Sequence, residues 1–195
     1  MGTRRRLLAL LALAATAGAG ARRAAAQGAA PAAGLLVATP ALVGSMFEKS
    51  VVLFTRTPAD DTIGVILNQR RAADWPAELG TPDAPGRMAG IYRGGPLAPQ
   101  ALFMVREAGA AADGVLPLGE DLWFAAGAGA IRRLLAVPGG GRSKLFRGYA
   151  GWAPGQLGAE VARGAWNMQR LDPGVVFDDA PDGQWERLQA PRRVA

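Results

Sequence analysis

The sequence contains no histidine and no cysteine among its 195 residues. Without these side chains the protein cannot carry a Ser-His-Asp triad, a thiol nucleophile, a disulfide or the ligands of an ordinary zinc site. Lysine is also scarce, with two residues against 20 arginines. Any catalysis would depend on carboxylate, hydroxyl, lysine or arginine groups. We expect no metal ion, no cofactor and no catalytic residue, although the composition leaves chemistry by these groups open.

The first 26 residues have the pattern of an export signal. Three arginines at positions 4–6 precede an apolar run at 7–21, and alanines 24–26 suit cleavage before Gln27. This run is shorter than the roughly 20 residues that cross a bilayer, so we predict a cleaved signal peptide and no transmembrane segment in the mature chain. Thr3 before the arginines resembles a twin-arginine signal. The alternative is a start codon assigned too early, which would leave the protein in the cytoplasm.

Most of the positive charge belongs to this segment. The formal net charge is +6, but removal of residues 1–26 takes away five arginines and no acid, leaving 17 basic and 16 acidic side chains. Nucleic-acid binding needs a clustered surplus of basic residues, so it is not expected for an exported chain. We interpret the doublets at 70–71, 132–133 and 192–193 as solvated surface. If the protein has a binding partner, whose identity the sequence does not give, we expect it to be a small molecule or a protein.

The rest of the chain is predicted to form one α+β domain at residues 34–190, preceded by a flexible tether at 27–33. Apolar and β-branched runs predict strands, and apolar residues at helical spacing predict helices. Between the first two strands, a helical turn at 44–49 would direct Met46 and Phe47 inward. Strands are expected at 35–38, 50–56, 62–67, 91–95, 102–107, 114–118, 122–125, 144–152 and 175–177, and helices at 73–79, 129–137, 155–166 and 185–188.

Few residue groups indicate chemistry. The segment at 139–144 has glycines and cations but lacks the Gly-Lys-Ser/Thr order of a phosphate-binding loop. Gly94 and Gly95 after a strand permit either a tight turn or close approach of a ligand to the backbone. Glu160 is expected on a helix near Trp152. It would act there as a cleft acid with a raised pKa or pair with Arg163 on the helix surface.

Several segments, taken together, resemble the YqgE/AlgH family. The resemblance covers roughly residues 34 to 190. Its most specific elements are the Gly-Gly-Pro motif and the sequence Gly-Tyr-Ala-Gly-Trp-Ala-Pro-Gly-Gln-Leu at 148–157. The matching segments are residues 35–40, 46–47, 50–52, 64–68, 94–97, 148–157, Glu160 and 164–166.

The resemblance implies an α+β fold in which a bifurcated, curled β-sheet forms a pseudo-barrel with a few packed helices in a single domain. It transfers no catalytic residues, and the label often attached to the family is transcriptional regulator. Three positions depart from the family: Thr57 stands near a frequent histidine, Gln69 replaces a proline, and Gly158 replaces an acid. The family's recurrent positions, taken as a candidate ligand pocket, fall on Asn68, Gly94, Gly95, Pro96, Trp152, Gly155, Gln156 and Glu160.

Three functions compete. We expect an exported, non-enzymatic protein, periplasmic or secreted, that binds a small ligand or a protein partner in a cleft between residues 94–96 and 152–160. The first alternative is a cytoplasmic transcriptional regulator with a misassigned start, which would need a basic face. The second is a hydrolase using Glu160 with Asp61 or Asp179, which needs two carboxyl groups about 5–10 Å apart at one pocket.

Overall fold

A computed structural model describes residues 31–80, 88–107, 109–138 and 141–189. The predicted signal peptide and most of the predicted tether lie outside these residues. Short 3₁₀ turns cover Pro40–Leu42 and Ala77–Leu79. The strands of the described part are β1 (Ala33–Ala38), β2 (Val51–Arg56), β3 (Thr62–Ile66), β4 (Arg70–Arg71), β5 (Met88–Arg93), β6 (Leu97–Glu107), β7 (Val115–Pro117), β8 (Leu122–Ala126), β9 (Ser143–Trp152) and β10 (Trp166–Gln169), and its α-helices are α1 (Ala128–Leu135), α2 (Gln156–Ala162), α3 (Pro173–Val176) and α4 (Gln184–Gln189).

The strands form one branched sheet. Eight of them follow the order β10-β1-β2-β3-β9-β6-β8-β7, and each neighbouring pair is antiparallel. Strand β9 is the branch point, because its carboxyl-terminal part pairs with β3 and its amino-terminal part pairs with β6 and, in parallel, with β5. Strand β4 extends the branch through β5. The predicted bifurcated, curled sheet of a single α+β domain is confirmed.

The continuous apolar runs of the first three strands are explained by burial on both faces. Leu35, Leu53 and Val65 belong to the cluster inside the curl, whereas their neighbours Leu36 and Val52 belong to a cluster on the opposite face. All five side chains are at most 1% exposed. Strands covered on both faces lose the polar/apolar alternation of half-exposed strands. The helix α2 covers the second face through Leu157.

A third cluster lies under helix α1. Ile131 and Leu134, one turn apart on that helix, pack with Met104 of β6 and Leu145 of β9. These four side chains are buried, with exposures of 0 to 1%. The predicted helix at 129–137 is therefore present, and its apolar stripe faces the sheet as the helical spacing requires.

One predicted strand is wrong. Two valines and a phenylalanine predict an extended segment at 175–177, but Val175 and Val176 lie in α3. Oδ1 of Asp172 accepts a hydrogen bond from the Gly174 amide at 2.8 Å, and Pro173 occupies the first turn. The N-cap and the proline favour a helix start strongly enough to override the β-propensity of the valines.

Two predicted helices are too long. Helix α2 ends at Ala162, because Gly164 adopts a left-handed conformation with φ of 77° and the chain then continues as β10 beside β1. The helix expected at 73–79 is reduced to the 3₁₀ turn that follows Pro76. In the turn at 44–49, Phe47 packs inward as expected, but Met46 is 46% exposed. The glycine and proline residues of the turns thus determined where these helices begin and end, which the spacing of apolar residues did not predict.

Candidate functional site

A cavity of about 220 Å³ lies beside Trp152. The loop between β2 and β3 contributes Thr57 and Asp61, the beginning and middle of β6 contribute Leu97 and Phe103, and β9 contributes Tyr149 and Trp152. Most of this wall is apolar or aromatic. The remaining lining residues are Thr62, Ile63, Gly151 and Ala153.

Thr57 is the unusual polar residue of this wall. Its side chain is 8% exposed, and its hydroxyl Oγ1 has no hydrogen-bond partner among the described residues. The turn that carries it is closed by two backbone hydrogen bonds, from the Thr57 amide to the Asp61 carbonyl at 2.8 Å and from the Asp60 amide to the Thr57 carbonyl at 3.0 Å. A buried hydroxyl without a partner costs about 1–3 kcal/mol, so this position is unfavourable unless something binds it.

Tyr149 and Leu97 form the aromatic and aliphatic sides of the cavity. The ring of Tyr149 packs against Phe103, with centroids 5.3 Å apart. Burial raises the pKa of the Tyr149 phenol, and the negative charge of Asp61 raises it further, so the phenol stays protonated at neutral pH. Leu97 is 42% exposed and stands at the open side.

Glu160 does not face this cavity as a free acid. Its Oε2 accepts hydrogen bonds from the indole nitrogens of Trp152 and Trp166, both at 2.9 Å, and its Oε1 accepts one from Nε2 of Gln156 at 3.0 Å. Burial alone would raise the pKa of Glu160, but the hydrogen bonds from Trp166, Trp152 and Gln156 outweigh burial and lower it. Of the two alternatives for Glu160, the cleft acid with a raised pKa is therefore wrong, and the carboxylate is an anionic acceptor that joins β9, α2 and β10.

This arrangement bears directly on the hydrolase alternative. Of the three carboxylates considered for it, only Asp61 is in the wall of the cavity, whereas Glu160 and Asp179 are not. The described residues also contain no group of three or more Asp, Glu, His or Cys side chains that could hold a metal ion. Among the described residues, the wall of this cavity therefore lacks the carboxylate pair that the hydrolase alternative requires.

Three of the predicted pocket residues, Asn68, Gly94 and Gly95, support the fold through hydrogen bonds or close packing. The Asn68 side chain accepts a hydrogen bond from the Val51 amide at 3.0 Å and donates one to the Lys49 carbonyl at 2.8 Å. It thereby holds Lys49 in its left-handed conformation, with φ of 54°. The two glycines are buried where the chain crosses β9, with no room for a Cβ against the backbone of that strand. Their ligand contact stays a prediction.

The other predicted positions are distributed over two places. Gly95 and Pro96 line a second cavity, of about 490 Å³, beside β9. Gly155 and Gln156 are exposed at the start of α2, where Oε1 of Gln156 accepts a hydrogen bond from the Ala153 amide at 3.1 Å. Of the eight residues, Trp152 is in the wall of the 220 Å³ cavity.

Sequence reasoning missed Thr57, Leu97 and Tyr149 as members of one cavity. These residues are 40 or more positions apart, and a curled sheet brings them together. A signal was present for Thr57, because it stands near a frequent histidine of the resembling family. The replacement of a frequent histidine by threonine indicates that the imidazole is absent here, but it does not by itself indicate that the position faces a cavity.

The fold and these cavities define a class: a single-domain α+β protein with a split, curled and mainly antiparallel half-barrel and packed helices. A family model described as DUF179, AlgH-like, matches residues 35–192. The chain belongs to this AlgH-like family.

Curated relatives and solved structures agree with this assignment. A UPF0301 protein of Streptomyces avermitilis is 36% identical over 163 residues, which cover 79% of this chain and 82% of the relative. A UPF0301 protein of Gluconobacter oxydans is 31% identical, covering 78% of this chain and 86% of the relative. The solution structure of the AlgH protein from Pseudomonas aeruginosa is similar with a TM-score of 0.61 and 26% identity, covering 85% of this chain and 94% of that chain.

A crystal structure of a protein from Corynebacterium diphtheriae gives the same result. Its TM-score is 0.62 at 27% identity, covering 85% of this chain and 90% of that chain. Within the part of this chain that the structure describes, no helix is long and apolar enough to span a bilayer.

Proposed function

We propose that this AlgH-like protein is an exported binding protein that holds a small, mostly apolar molecule in the cavity beside Trp152 without transforming it. The observation that carries the proposal is the hydroxyl of Thr57, which is buried in the cavity wall without a hydrogen-bond partner among the described residues. A ligand with one hydrogen-bonding group would satisfy this hydroxyl and cover the aromatic wall.

The size and lining of the cavity define the ligand class. Its volume of about 220 Å³ is below the range of about 300–1,000 Å³ that is common for drug-sized ligands. Tyr149, Trp152 and Leu97 offer apolar contact, while Thr57 can both donate and accept a hydrogen bond and Asp61 can accept one. The class is a small aromatic or branched aliphatic molecule with one hydroxyl or amine group.

The chemistry of the wall supports binding over turnover. The sequence has no histidine or cysteine to act as base or nucleophile. Tyr149 stays protonated because burial raises its pKa. Glu160 lies outside the wall, where two indoles and an amide hold it. Tyr149 is therefore suited to shaping the cavity and orienting a ligand.

Export is supported by the amino-terminal residues alone. The arginines at 4–6, the apolar run and the small residues before Gln27 form the pattern of a cleaved signal. Amino-terminal sequencing of the protein from separated cell fractions tests this. Gln27 as the first residue in a periplasmic or secreted fraction supports export, and an intact cytoplasmic chain contradicts it and favours the regulator alternative.

The binding proposal is tested by Thr57→Val, which keeps the shape of the side chain and removes the hydroxyl. In the absence of ligand we expect the free energy of unfolding to rise by about 1 kcal/mol, because an unsatisfied buried hydroxyl is removed. Phenol and toluene are suitable probes, since they differ mainly by one hydroxyl. In protein NMR titrations, wild type should prefer phenol over toluene by about fivefold, and Thr57→Val should lose this preference.

Thr55→Val is the matched control, because Oγ1 of Thr55 donates to the Ala32 carbonyl at 3.4 Å. This variant should be destabilised and should keep the preference for phenol. Resonances of Tyr149 and Trp152 should shift on titration. Equal affinity of wild type for the two probes, or destabilisation by Thr57→Val, would contradict the proposed role of this hydroxyl.

A further inference from the structure

The second cavity beside β9 is surrounded by arginines. It has a volume of about 490 Å³, and its wall contains Arg70 and Arg71 of β4, Arg93 at the end of β5 and Arg147 in β9. No acidic residue is among the described residues of this wall. Three elements that are separated in sequence thus contribute four arginines to the wall of one cavity.

The register of the strands makes this arrangement electrostatically unfavourable on its own. Arg93 and Arg147 are direct partners in the parallel pair of β5 and β9. Like charges at opposite positions of neighbouring strands destabilise a sheet. Among the described residues, none of the four arginines forms an ion pair, whereas Arg56, Arg133, Arg142 and Arg187 do.

The backbone that carries these arginines is fixed. The Arg93 amide donates to the Gln69 carbonyl at 2.8 Å, and the Gly94 amide donates to the Arg147 carbonyl at 2.8 Å. Gly95 packs against β9 so closely that a Cβ would lie 2.3 Å from the carbonyl carbon of Tyr149. The backbone positions of Arg93 and Arg147 are therefore fixed relative to each other, so binding of a ligand would not require the strands to be ordered first.

We propose that this cavity is a binding site for a small polyanion with two or more phosphoryl or carboxylate groups. Planar guanidinium groups form paired hydrogen bonds with both kinds of oxygen, and a bound anion relieves the repulsion between Arg93 and Arg147. The volume is within the range of small-molecule pockets. Gly95 and Pro96 belong to this site, which is separate from the cavity beside Trp152 and independent of the ligand proposed there.

A small anion fits this cavity better than a nucleic acid. Nucleic-acid binding requires basic residues that follow a groove or a face. Several arginines outside the cavity are instead engaged by the protein itself. Arg132 and Arg133 of α1, for example, donate to the carbonyls of Glu78 and Asp113, at 2.6 and 2.5 Å. The wall of this cavity instead contains four arginines from three elements.

The test is calorimetric titration of the purified protein at low ionic strength with three probes: inorganic pyrophosphate, citrate and a short duplex DNA. We expect pyrophosphate, citrate or both to bind, and Arg93→Gln or Arg147→Gln to weaken that binding about tenfold. Arg163→Gln on the exposed surface after α2 is the matched control, because it removes the same charge outside the cavity wall. It should change the affinity by less than about twofold.

Thermal unfolding shows whether a variant that binds the anion more weakly is still folded. Without an anion, Arg93→Gln and Arg147→Gln should unfold at the same temperature as wild type or higher, because each removes a repulsion. The bound anion should raise the unfolding temperature of wild type, and it should not raise that of the variant that carries both Arg93→Gln and Arg147→Gln. Binding of neither small anion, equal weakening by Arg163→Gln, or binding of duplex DNA alone would overturn the proposal.

Discussion

At the scale of single residues, Glu160 shows how a carboxylate can serve the fold. Its three hydrogen bonds connect indoles from two strands to the helix between them. We expect Glu160→Gln to lower the free energy of unfolding by about 2 kcal/mol, because two indole donors lose a charged acceptor. Urea unfolding measures this, and Glu48→Gln on the exposed turn is a control that should cost less.

The acid dependence of stability tests the same residue. Because the pKa of Glu160 is lowered from its ordinary value of 4.5, its contribution is present above about pH 4.5 and is lost as the pH falls through the lower pKa of the folded state. Wild type should therefore lose stability below about pH 4.5 more steeply than Glu160→Gln. Parallel curves for the two proteins would contradict this explanation.

Lys144 is a second residue whose charge affects stability. It is fully buried, its Nζ lies 4.5 Å from the centre of the Tyr92 ring, and its one described hydrogen bond is to the Asp178 carbonyl at 3.3 Å. Burial lowers the pKa of Lys144 from 10.5 to about 8. Above pH 8 the folded state therefore releases a proton that the unfolded state retains, so stability rises with pH in this range.

We expect the free energy of unfolding of wild type to increase by about 2 kcal/mol between about pH 8 and pH 9.5. Lys144→Met, which keeps the length of the side chain without its charge, should remove most of this increase. The range stops below pH 10, because the raised pKa of buried Tyr92 acts in the opposite direction above it. A flat wild-type profile in denaturant titrations would show that Lys144 is not held in its low-dielectric position.

At the scale of elements, the crossing of residues 94–95 over β9 depends on the absence of side chains. A Cβ on Gly94 would lie 2.2 Å from the Gly148 carbonyl oxygen. Gly148 itself has φ of 73°, and a Cβ there would lie 2.6 Å from the Gly95 carbonyl oxygen. These three glycines allow β5, β6 and β9 to meet where the sheet divides.

We therefore expect Gly94→Ala to destabilise the protein by more than about 3 kcal/mol, because backbone atoms would have to move. Gly158→Ala is the contrasting variant. Gly158 lies inside α2 with open space around it, so alanine should stabilise the protein by about 0.5–1 kcal/mol through helix propensity. Thermal unfolding of both variants checks the prediction, and a tolerated Gly94→Ala would refute the close crossing.

At the scale of the whole molecule, the branch at β9 creates both cavities. The carboxyl-terminal part of β9 contributes Tyr149 and Trp152 to the apolar cavity, and Arg147, two residues before Tyr149, contributes to the basic one. The segment of β6 that follows Pro96 contributes to both through Leu97 and Pro99. One strand therefore places an apolar and a basic site next to each other in a molecule of one domain.

The amino-acid sequence by itself determined the strands of the core. Residues 35–38, 51–56 and 62–66 are apolar and β-branched in continuous runs, and such runs are typical of extended chain buried on both faces. The resemblance at 94–97 and 148–157 added the curled fold. The absence of histidine and cysteine is a property of composition alone, and it excluded imidazole and thiol groups from any site on these strands.

Tertiary structure decided what these residues do. Arg71 and Arg147 are 76 positions apart and line one cavity because β4 pairs with β5 and β5 pairs with β9, and no local pattern encodes these pairings. Glu160 is held by Trp152 and Trp166 because a left-handed glycine ends α2 and returns the chain as β10. Contacts between distant segments depend on the summed packing of the whole chain, which is why composition and spacing could indicate elements but could not place the sites.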